Sequence, residues 1–285
     1  MVYDISTVRS RELGNALRLA MENAKLTGKQ AAILLGWSES RVSRALTGSS
    51  VPSPLNLSAL LAVCRVTGEE RDYLLHLGQP AATLGWQTDH RILADNQRQA
   101  LSITAFHGAL IPALFQVHGY ARALITRTLN VPFGEVKERV AARLTSQRIF
   151  AHKRPPACTV FVHELSLQLP VGGAKVMAQQ LHHLLRLSMR PAITIRIVPT
   201  AAGAQPGLIG SCCLLEFAEF APVAYLDNEV AGLFIEEPEQ VATYQRVFTA
   251  LATAALDEEQ SRDKIRAVAA SRYLEHGGAA GWGEN

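Results

Sequence analysis

The segment LTGKQAAILLGWSESRVSRALTGSSVPS, residues 26–53, is the most informative stretch for the fold of the first part of this 285-residue chain. Thr27 is placed to cap a helix from Gly28 to Leu35, and Gly36 is the residue type that most readily ends a helix in a left-handed conformation. Ser38 is placed to cap a second helix, from Glu39 to Leu46. Two short helices joined by a tight turn with a glycine predict a helix-turn-helix.

The two helices have an apolar and a polar side. The small and apolar residues that we expect to face inward are Ala31, Ala32, Leu35, Trp37, Val42 and Ala45. The polar side of the second helix carries Ser38, Glu39, Ser40, Arg41, Ser43 and Arg44. Its side chains are short or basic, so such a helix can enter the major groove of DNA, where Arg, Ser and Glu match base edges. The alternative is a solvated face of a helical bundle.

Positive charge is concentrated near this segment. Residues 1–56 carry seven Lys or Arg and four acids, whereas the remaining 229 residues are balanced within a total net charge of +3. An apolar stripe at helical spacing between Val8 and Ala24 predicts a helix ahead of the motif. A polyanion is therefore attracted to the N-terminal part of the chain.

The segment Leu26–Ser53 resembles the XRE, or lambda-repressor-like, helix-turn-helix. Helices at Pro54–Val66 and Glu69–Leu77 would complete its five-helix bundle, with Thr67 and Glu70 at capping-box spacing. Cys64 lies on the apolar stripe of the first of these and is expected in the core.

The same resemblance implies roles for particular residues. Gln30, with Lys29 and Arg41, would bind phosphates, whereas Ser38, Glu39, Ser40 and Ser43 would approach bases and Arg41 and Arg44 would contact phosphate or guanine. Relatives often carry Gln where Glu39 stands. A carboxylate there favours the N4 amino group of cytosine.

Residues 91–275 are expected to form a larger α+β domain after a linker at 79–90. The predicted helices are 91–106, 119–128, 134–150, 174–189, 238–256 and 258–274. The predicted strands are 158–163, 192–198, 209–217 and 222–227, which together make a small mixed sheet. The sequence thus predicts a mainly α chain of two domains, the first being the helix-turn-helix domain at 1–78, and a flexible tail at 276–285.

Four phrases in this region resemble the C-terminal domain found behind XRE heads in actinobacterial regulators, some of them antitoxin-like. They are LIPALFQVHGYARALI from Leu110, LPVGGAKVMAQQLHHLL from Leu169, IRIVPTAAGAQPGLIGS from Ile195 and VAYLDNEVAGLFIEEPEQVATYQRVFTALATAAL from Val223. The resemblance implies a regulator that binds DNA through its head and a protein or small molecule through its C-terminal domain.

Two features of the C-terminal region are candidates for such a contact. The loop 200–210 is rich in glycine, and its Gly203, Gln205 and Gly207, with Tyr225 and Asp227 further along, could meet a ligand or simply form a hairpin connection. Seven acids and no Lys or Arg lie between Arg196 and Arg246. This stretch is a solvated face, or it docks a basic partner protein or the chain's own basic head.

Nothing in the sequence predicts an enzyme, a metal site or a cofactor. The candidates are His107, His118, His163 with Glu164, His182 with His183, and Cys212 with Cys213, and none has the spacing of a known catalytic or zinc motif. The four cysteines include no C-x-x-C pair. No apolar run of about 20 residues and no secretory signal is present, so a cytoplasmic protein without a membrane segment is expected.

The function predicted from the sequence is a sequence-specific transcription regulator. It is expected to bind double-stranded DNA as a homodimer on a two-fold related operator. The alternative is an antitoxin-like module that sequesters a small partner protein and binds DNA only for autoregulation.

Overall fold

The computed structural model describes residues 7–79, 86–88, 90–127, 131–208, 210–227 and 232–274. The chain divides into two compact units. The first holds residues 1–86 and 219–221, and the second holds residues 87–218 and 222–285. The predicted tail at 276–285 and most of the predicted linker lie outside the described residues.

The first unit is the predicted bundle of five helices. They are α1 (Val8–Asn23), α2 (Gly28–Leu35), α3 (Glu39–Thr47), α4 (Pro54–Val63) and α5 (Gly68–Leu77). Its core joins Leu13 and Leu17 of α1 to Val42 of α3 and to Leu60 and Leu61 of α4. Cys64 is buried in this core as predicted, and burial raises the pKa of its thiol.

Two details at the α4–α5 turn differ from the prediction. Helix α4 ends at Val63 rather than at Val66, because Arg65 adopts a left-handed backbone with φ 58°. The predicted capping box between Thr67 and Glu70 is wrong. Within the described residues the Thr67 side chain accepts no capping hydrogen bond, and Gly68, the first residue of α5, has φ +64°. That left-handed start displaces the Thr67 hydroxyl from the amide it would cap.

The second unit is an α+β domain around a mixed sheet. Its strands are β1 (Trp86–Thr88), β2 (Ser102–His107), β3 (Ala157–His163), β4 (Ile193–Val198), β5 (Ser211–Glu216), β6 (Val223–Asp227) and β7 (Gly232–Ile235). The order across the sheet is β1-β7-β6-β5-β2-β3-β4. Strands β2, β3 and β4 are parallel, whereas β5, β6 and β7 are antiparallel neighbours.

Helices connect these strands and cover the sheet. They are α6 (His90–Gln99), α7 (His118–Arg127), α8 (Val136–Ser146), α9 (Leu165–Gln168), α10 (Ala174–Leu187), α11 (Pro238–Ala254) and α12 (Glu258–Val268). Phe161 of β3 stacks on Phe248 of α11, with ring centroids 6.3 Å apart, in a core that also holds Phe106 and Leu251. These aromatic rings fix α11 against one face of the sheet.

The predicted helix at 91–106 is wrong in its second half. Helix α6 ends at Gln99, and Ser102–His107 forms β2, between β3 and β5. Leu101 already begins this pairing, since its N–H donates to the Glu216 carbonyl and its carbonyl accepts from Ala157 N–H. Backbone partners more than 50 residues away override the helical pattern. Strands β1 and β7 were not predicted.

The outer strand β4 is protected by the loop between α11 and α12 and by the first turn of α12. Ile197 N–H donates to Ser261 Oγ at 2.9 Å, and Leu256 N–H donates to the Ile197 carbonyl at 2.9 Å. The Arg196 guanidinium donates to the carbonyls of Ala255 and Leu256. The loop thereby occupies backbone groups that an exposed edge would offer to another strand.

Candidate nucleic-acid interface

Local hydrogen bonds build the turn between α2 and α3 as the sequence predicts. Thr27 Oγ1 accepts from Gln30 N–H, and Gln30 Oε1 accepts from Thr27 N–H at 2.9 Å, which completes a capping box. Gly36 has φ +64°, and Ser38 Oγ accepts from Arg41 N–H at 3.3 Å. These contacts stop α2 and start α3 within three residues.

Two glycines let α1 approach α3 closely, and the sequence analysis missed both. A Cβ atom on Gly14 would lie 2.7 Å from the Leu46 carbonyl oxygen. Gly48 has φ +72°, and a Cβ on it would meet the backbone of Ser10 and Arg11. The available signal was weak, since a glycine inside a helix indicates close packing only in general terms. With these contacts α3 is fixed on the bundle through its buried Val42 and Ala45.

The polar side of α3 faces solvent. All six residues that the sequence placed there, Ser38, Glu39, Ser40, Arg41, Ser43 and Arg44, are exposed. At 100° per residue, Ser40, Ser43, Arg44 and Thr47 occupy the middle of the exposed surface, whereas Glu39 and Arg41 lie on opposite flanks. Thr47, which the sequence analysis did not include, is also exposed. We call Ser40, Ser43, Arg44 and Thr47 the central face of α3.

The two flanks have different surroundings. On one flank the Arg41 guanidinium carbon lies 4.3 Å from the ring centroid of Trp37, a cation–π contact that orients it. Trp37 and Arg41 are four residues apart in the sequence, a spacing that could have predicted their contact. On the other flank Glu39 lines a cavity of about 450 Å³ with Lys29 and Arg18. Arg18 in turn donates to the Leu46 carbonyl at 2.8 Å and so closes the end of α3.

Gln30 can keep its structural role and still bind an anion. Its Oε1 accepts from Thr27 N–H and Thr27 Oγ1, which assigns that atom to the capping box. In the described part of the chain its Nε2 group donates to nothing. Gln30 and Lys29 both lie in the first turn of α2, where the amide groups at the start of a helix favour negative charge.

Short serine and threonine hydroxyls lie on the central face and at its border. Ser38 Oγ and Ser40 Oγ are 3.1 Å apart, and Thr47 Oγ1 lies 2.9 Å from Ser49 Oγ. Ser38 is therefore engaged as the helix cap, whereas Ser43 projects from the middle of the helix. The other side chains of the central face are small, so Arg44 is its longest side chain.

The candidate contact residues of the C-terminal domain differ in their surroundings, since Gly207 and Tyr225 pack against other side chains whereas Gly203 and Asp227 are exposed. Gly203 and Gly207 have φ +68° and +93°, and a Cβ on Gly207 would lie 3.1 Å from the Phe106 ring. Gln205 Nε2 donates to the Ala202 carbonyl at 2.6 Å. Tyr225 is 1% exposed and pairs with Phe234. Asp227 pairs with both Ser211 and Gly232 in the sheet.

The candidate catalytic side chains are dispersed or buried. Burial lowers the pKa of His107 to about 4 and raises that of Cys158 to about 12. Burial alone would raise the pKa of Glu164, but hydrogen bonds from Lys264, at 2.7 Å, and from Thr200 N–H hold it below its usual value. In the part of the chain that the structure describes, no group of three or more His, Cys, Asp or Glu could hold a metal ion. No helix there is long and apolar enough to cross a membrane.

Comparison with known families agrees with the division into two units. A helix-turn-helix domain matches residues 12–74, and the domain of unknown function DUF5753 matches residues 91–267. No curated protein and no solved structure matches the chain. The helix-turn-helix match supports a DNA-binding regulator. Since the second match covers more than half of the sequence, the chain belongs to the family defined by DUF5753, here with a helix-turn-helix domain ahead of it.

Proposed function

We propose that the protein is a sequence-specific transcription regulator that reads the major groove of DNA with the central face of α3. The observation that carries the proposal is the exposed central face itself, Ser40, Ser43, Arg44 and Thr47, held on a bundle by capped helix ends. A helix with short polar side chains around one arginine fits the width of the groove and offers donors to base edges.

Phosphate contacts come from both flanks of this helix in the proposal. Lys29 and the Gln30 Nε2 group, at the start of α2, would bind phosphates on one side of the major groove. Arg41, stacked on Trp37, would bind phosphates on the other side. Such contacts position the protein without reading sequence, and Ser38 contributes as the cap that starts α3.

Glu39 has a different role in this proposal from the one that the sequence alone suggested. It lies on a flank of α3 and lines the same cavity as Lys29 and Arg18, together with Ser43 and Thr47 of the central face. The two cations reduce the repulsion between its carboxylate and a phosphate. A contact with cytosine N4 is then restricted to a base pair at the edge of the site.

The proposed active form is a homodimer on an operator with two-fold symmetry, in the cytoplasm. Helix-turn-helix proteins of this kind read half-sites about one helical turn apart. In the proposal the C-terminal domain, which has its own core, senses a protein or small-molecule partner. A small protein that copurifies with the full chain and alters its DNA affinity would support this second role, and DNA affinity unaffected by such a partner would contradict it.

The experiment is selection of bound fragments from a random DNA pool, followed by affinity measurements at fixed salt. Arg44→Ala should weaken binding to the selected operator by about 1–3 kcal/mol and relax sequence preference at one position of each half-site. Arg246→Ala is the matched control, because it removes the same charge from an exposed site on α11. An operator affinity that is equal in the Arg44→Ala variant and the control would remove α3 from the interface.

A further inference from the structure

Charge is segregated along the sequence of the C-terminal domain. Residues 139–215 contain nine Lys or Arg and a single acid, Glu164. Residues 216–239 then contain seven acids and no Lys or Arg. The balanced total of this region therefore conceals two blocks of opposite sign, and the sheet topology decides where each block lies.

The strand register brings both blocks to the same edge of the sheet. Strands β2, β3 and β4 are parallel and begin at this edge, as the pair Cys158 and Ile193 shows for β3 and β4. Ser102, the first residue of β2, pairs with Glu216, the last residue of β5. Ala224 near the start of β6 pairs with Ile235 at the end of β7. We call the end of the sheet where β2, β3, β4 and β6 begin and where β5 and β7 end the charged edge.

Five cations form the basic half of the charged edge. They precede β3 and β4 and are all exposed: Arg148, Lys153, Arg154, Arg186 and Arg190. The two connections are adjacent, since Cys158 N–H donates to the Ala192 carbonyl at 2.7 Å. Burial, and then the charges of Arg186 and Arg190, lowers the pKa of the neighbouring His183. No acid lies in the stretches 148–156 and 186–192, which carry these cations.

Carboxylates form the acidic half, at the other end of the same edge. Glu216 ends β5, and its Oε2 accepts from Ser102 Oγ at 2.5 Å. Glu237 and Glu239 follow β7 at the start of α11. All three are exposed. Between the halves, ahead of β2, Arg98 is paired with Asp95 and contributes no net charge.

The two halves do not neutralise each other within one copy. Neighbouring strands are about 4.8 Å apart, so four strand spacings separate the middle of the basic half from the middle of the acidic half by about 20 Å. That distance exceeds the Debye length of about 8 Å at physiological ionic strength. Each half therefore keeps its potential for an external partner.

We propose that the charged edge is a self-complementary interface between two copies of this chain. A two-fold axis near β2 and β5, in the middle of the edge, places the basic half of each copy against the acidic half of the other, so that both contacts form at once. A nucleic acid fits this edge less well, because Glu216, Glu237 and Glu239 repel phosphates along half of its length. The inference deepens the proposed function, on which it rests for the assumption that two copies act together.

The test uses charge reversal in the full-length protein without DNA. One variant carries Arg154→Glu with Arg190→Glu, and the other carries Glu237→Arg with Glu239→Arg. Sedimentation at about 0.05 M and about 0.5 M salt should show a wild-type dimer that weakens as salt rises. Each variant alone should associate at least about tenfold more weakly, because the basic half of the first falls from a charge of +5 to +1 and the acidic half of the second changes from −3 to +1. An equimolar mixture of the two should recover the wild-type affinity as a mixed dimer.

The control reverses the same amount of charge at the opposite end of the domain. Arg122→Glu with Lys175→Glu changes the N-terminal halves of α7 and α10, which are neighbours through Gly119 and Val176, and should leave association unchanged. A wild-type monomer at low salt, or a mixture that fails to associate, would overturn the inference. So would a basic-half variant that dimerises normally but binds DNA with a lower salt dependence, which would assign the basic half to nucleic acid. Loss of DNA binding in Arg44→Ala leaves these outcomes unaffected, so the two proposals fail separately.

Discussion

The head and the C-terminal domain use polar side chains in opposite ways. On α3 of the head, Ser40 and Arg44 project into solvent from a helix that is held by its apolar side. In the C-terminal domain, Gln116 and Gln180 are 2% and 0% exposed, and their amides bind backbone groups. Exposed polar groups are available to a partner, whereas the buried ones hold a loop. The hydrogen-bond partners separate these roles, since the buried amides are bound to backbone groups of their own domain.

The buried amides organise the segment between β2 and α7. Gln180 Oε1 accepts from Val117 N–H at 2.8 Å, and Gln180 Nε2 donates to the Phe115 carbonyl at 2.7 Å. Gln116 Nε2 donates to the Ile111 carbonyl at 2.7 Å. One glutamine on α10 therefore satisfies two backbone groups of a segment more than 60 residues away.

Among the substitutions considered for stability, Gln180→Leu should lower the free energy of unfolding most. It leaves the Val117 N–H and the Phe115 carbonyl buried without their partner, which should lower the free energy of unfolding of the C-terminal domain by about 2–4 kcal/mol. Gln179→Leu is the matched control, since Gln179 is the exposed neighbour on the same helix and should change stability by less than about 0.5 kcal/mol. Denaturation followed by calorimetry measures both. Equal effects in the two variants would show that the amide contacts carry no stability.

In the head, a close backbone contact rather than a buried amide holds α1 and α3 together. Gly48→Ala should destabilise the head by about 1–3 kcal/mol, because the new methyl group meets Ser10 and the residue needs φ +72°. Gly28→Ala is the control, since a Cβ at Gly28 meets nothing within 4 Å and its φ is not left-handed. That substitution should leave the head as stable or slightly more stable.

Measurement of the head requires a signal separate from the C-terminal domain. Trp37 packs against the core of the head, so its fluorescence should follow unfolding of that unit. If Gly48→Ala unfolds at the same denaturant concentration as the wild type, α1 and α3 are not held by this contact.

The fold of the head is more predictable from sequence than that of the C-terminal domain, for a physical reason. Thr27, Gly36 and Ser38 act on residues within three or four positions, so their patterns are complete in a short window. Strand β2 has its partners at 157–162 and 212–216, and a window over 91–106 contains neither. Its apolar residues were therefore fitted to a helical period.

The same reasoning explains which parts of the candidate site were found. Helix periodicity is sufficient to predict the six polar residues on α3. Thr47 has the same periodicity but was omitted, because the predicted helix ends one residue early, at Leu46. The close approach of Gly14 and Gly48 joins residues 34 positions apart, and no local pattern contains it. The charged edge depends on strand order, which the sequence did not predict.

One turn occurs twice within the head. Residues 24–28, AKLTG, and residues 64–68, CRVTG, both follow a helix and precede another. In each the basic residue is left-handed, with φ 56° at Lys25 and 58° at Arg65. The hydrogen bonds match as well, since Leu26 N–H donates to Met21 O and Val66 N–H donates to Leu61 O, each at 2.9 Å. The two turns diverge at the threonine and the glycine, since φ is −82° at Thr27 but −137° at Thr67, and Gly68 is left-handed whereas Gly28 is not.

This difference separates the contributions of two threonines in nearly identical sequence. Thr27→Ala should cost about 1 kcal/mol of head stability, since Thr27 caps α2 and closes the box with Gln30. Thr67→Ala should cost no more than a few tenths, because its hydroxyl caps nothing among the described residues. The same fluorescence titration compares them directly. Equal losses would mean that the left-handed glycine does not decide the cap, whereas an additional loss of operator affinity in Thr27→Ala alone would connect the cap to the phosphate contact of Gln30.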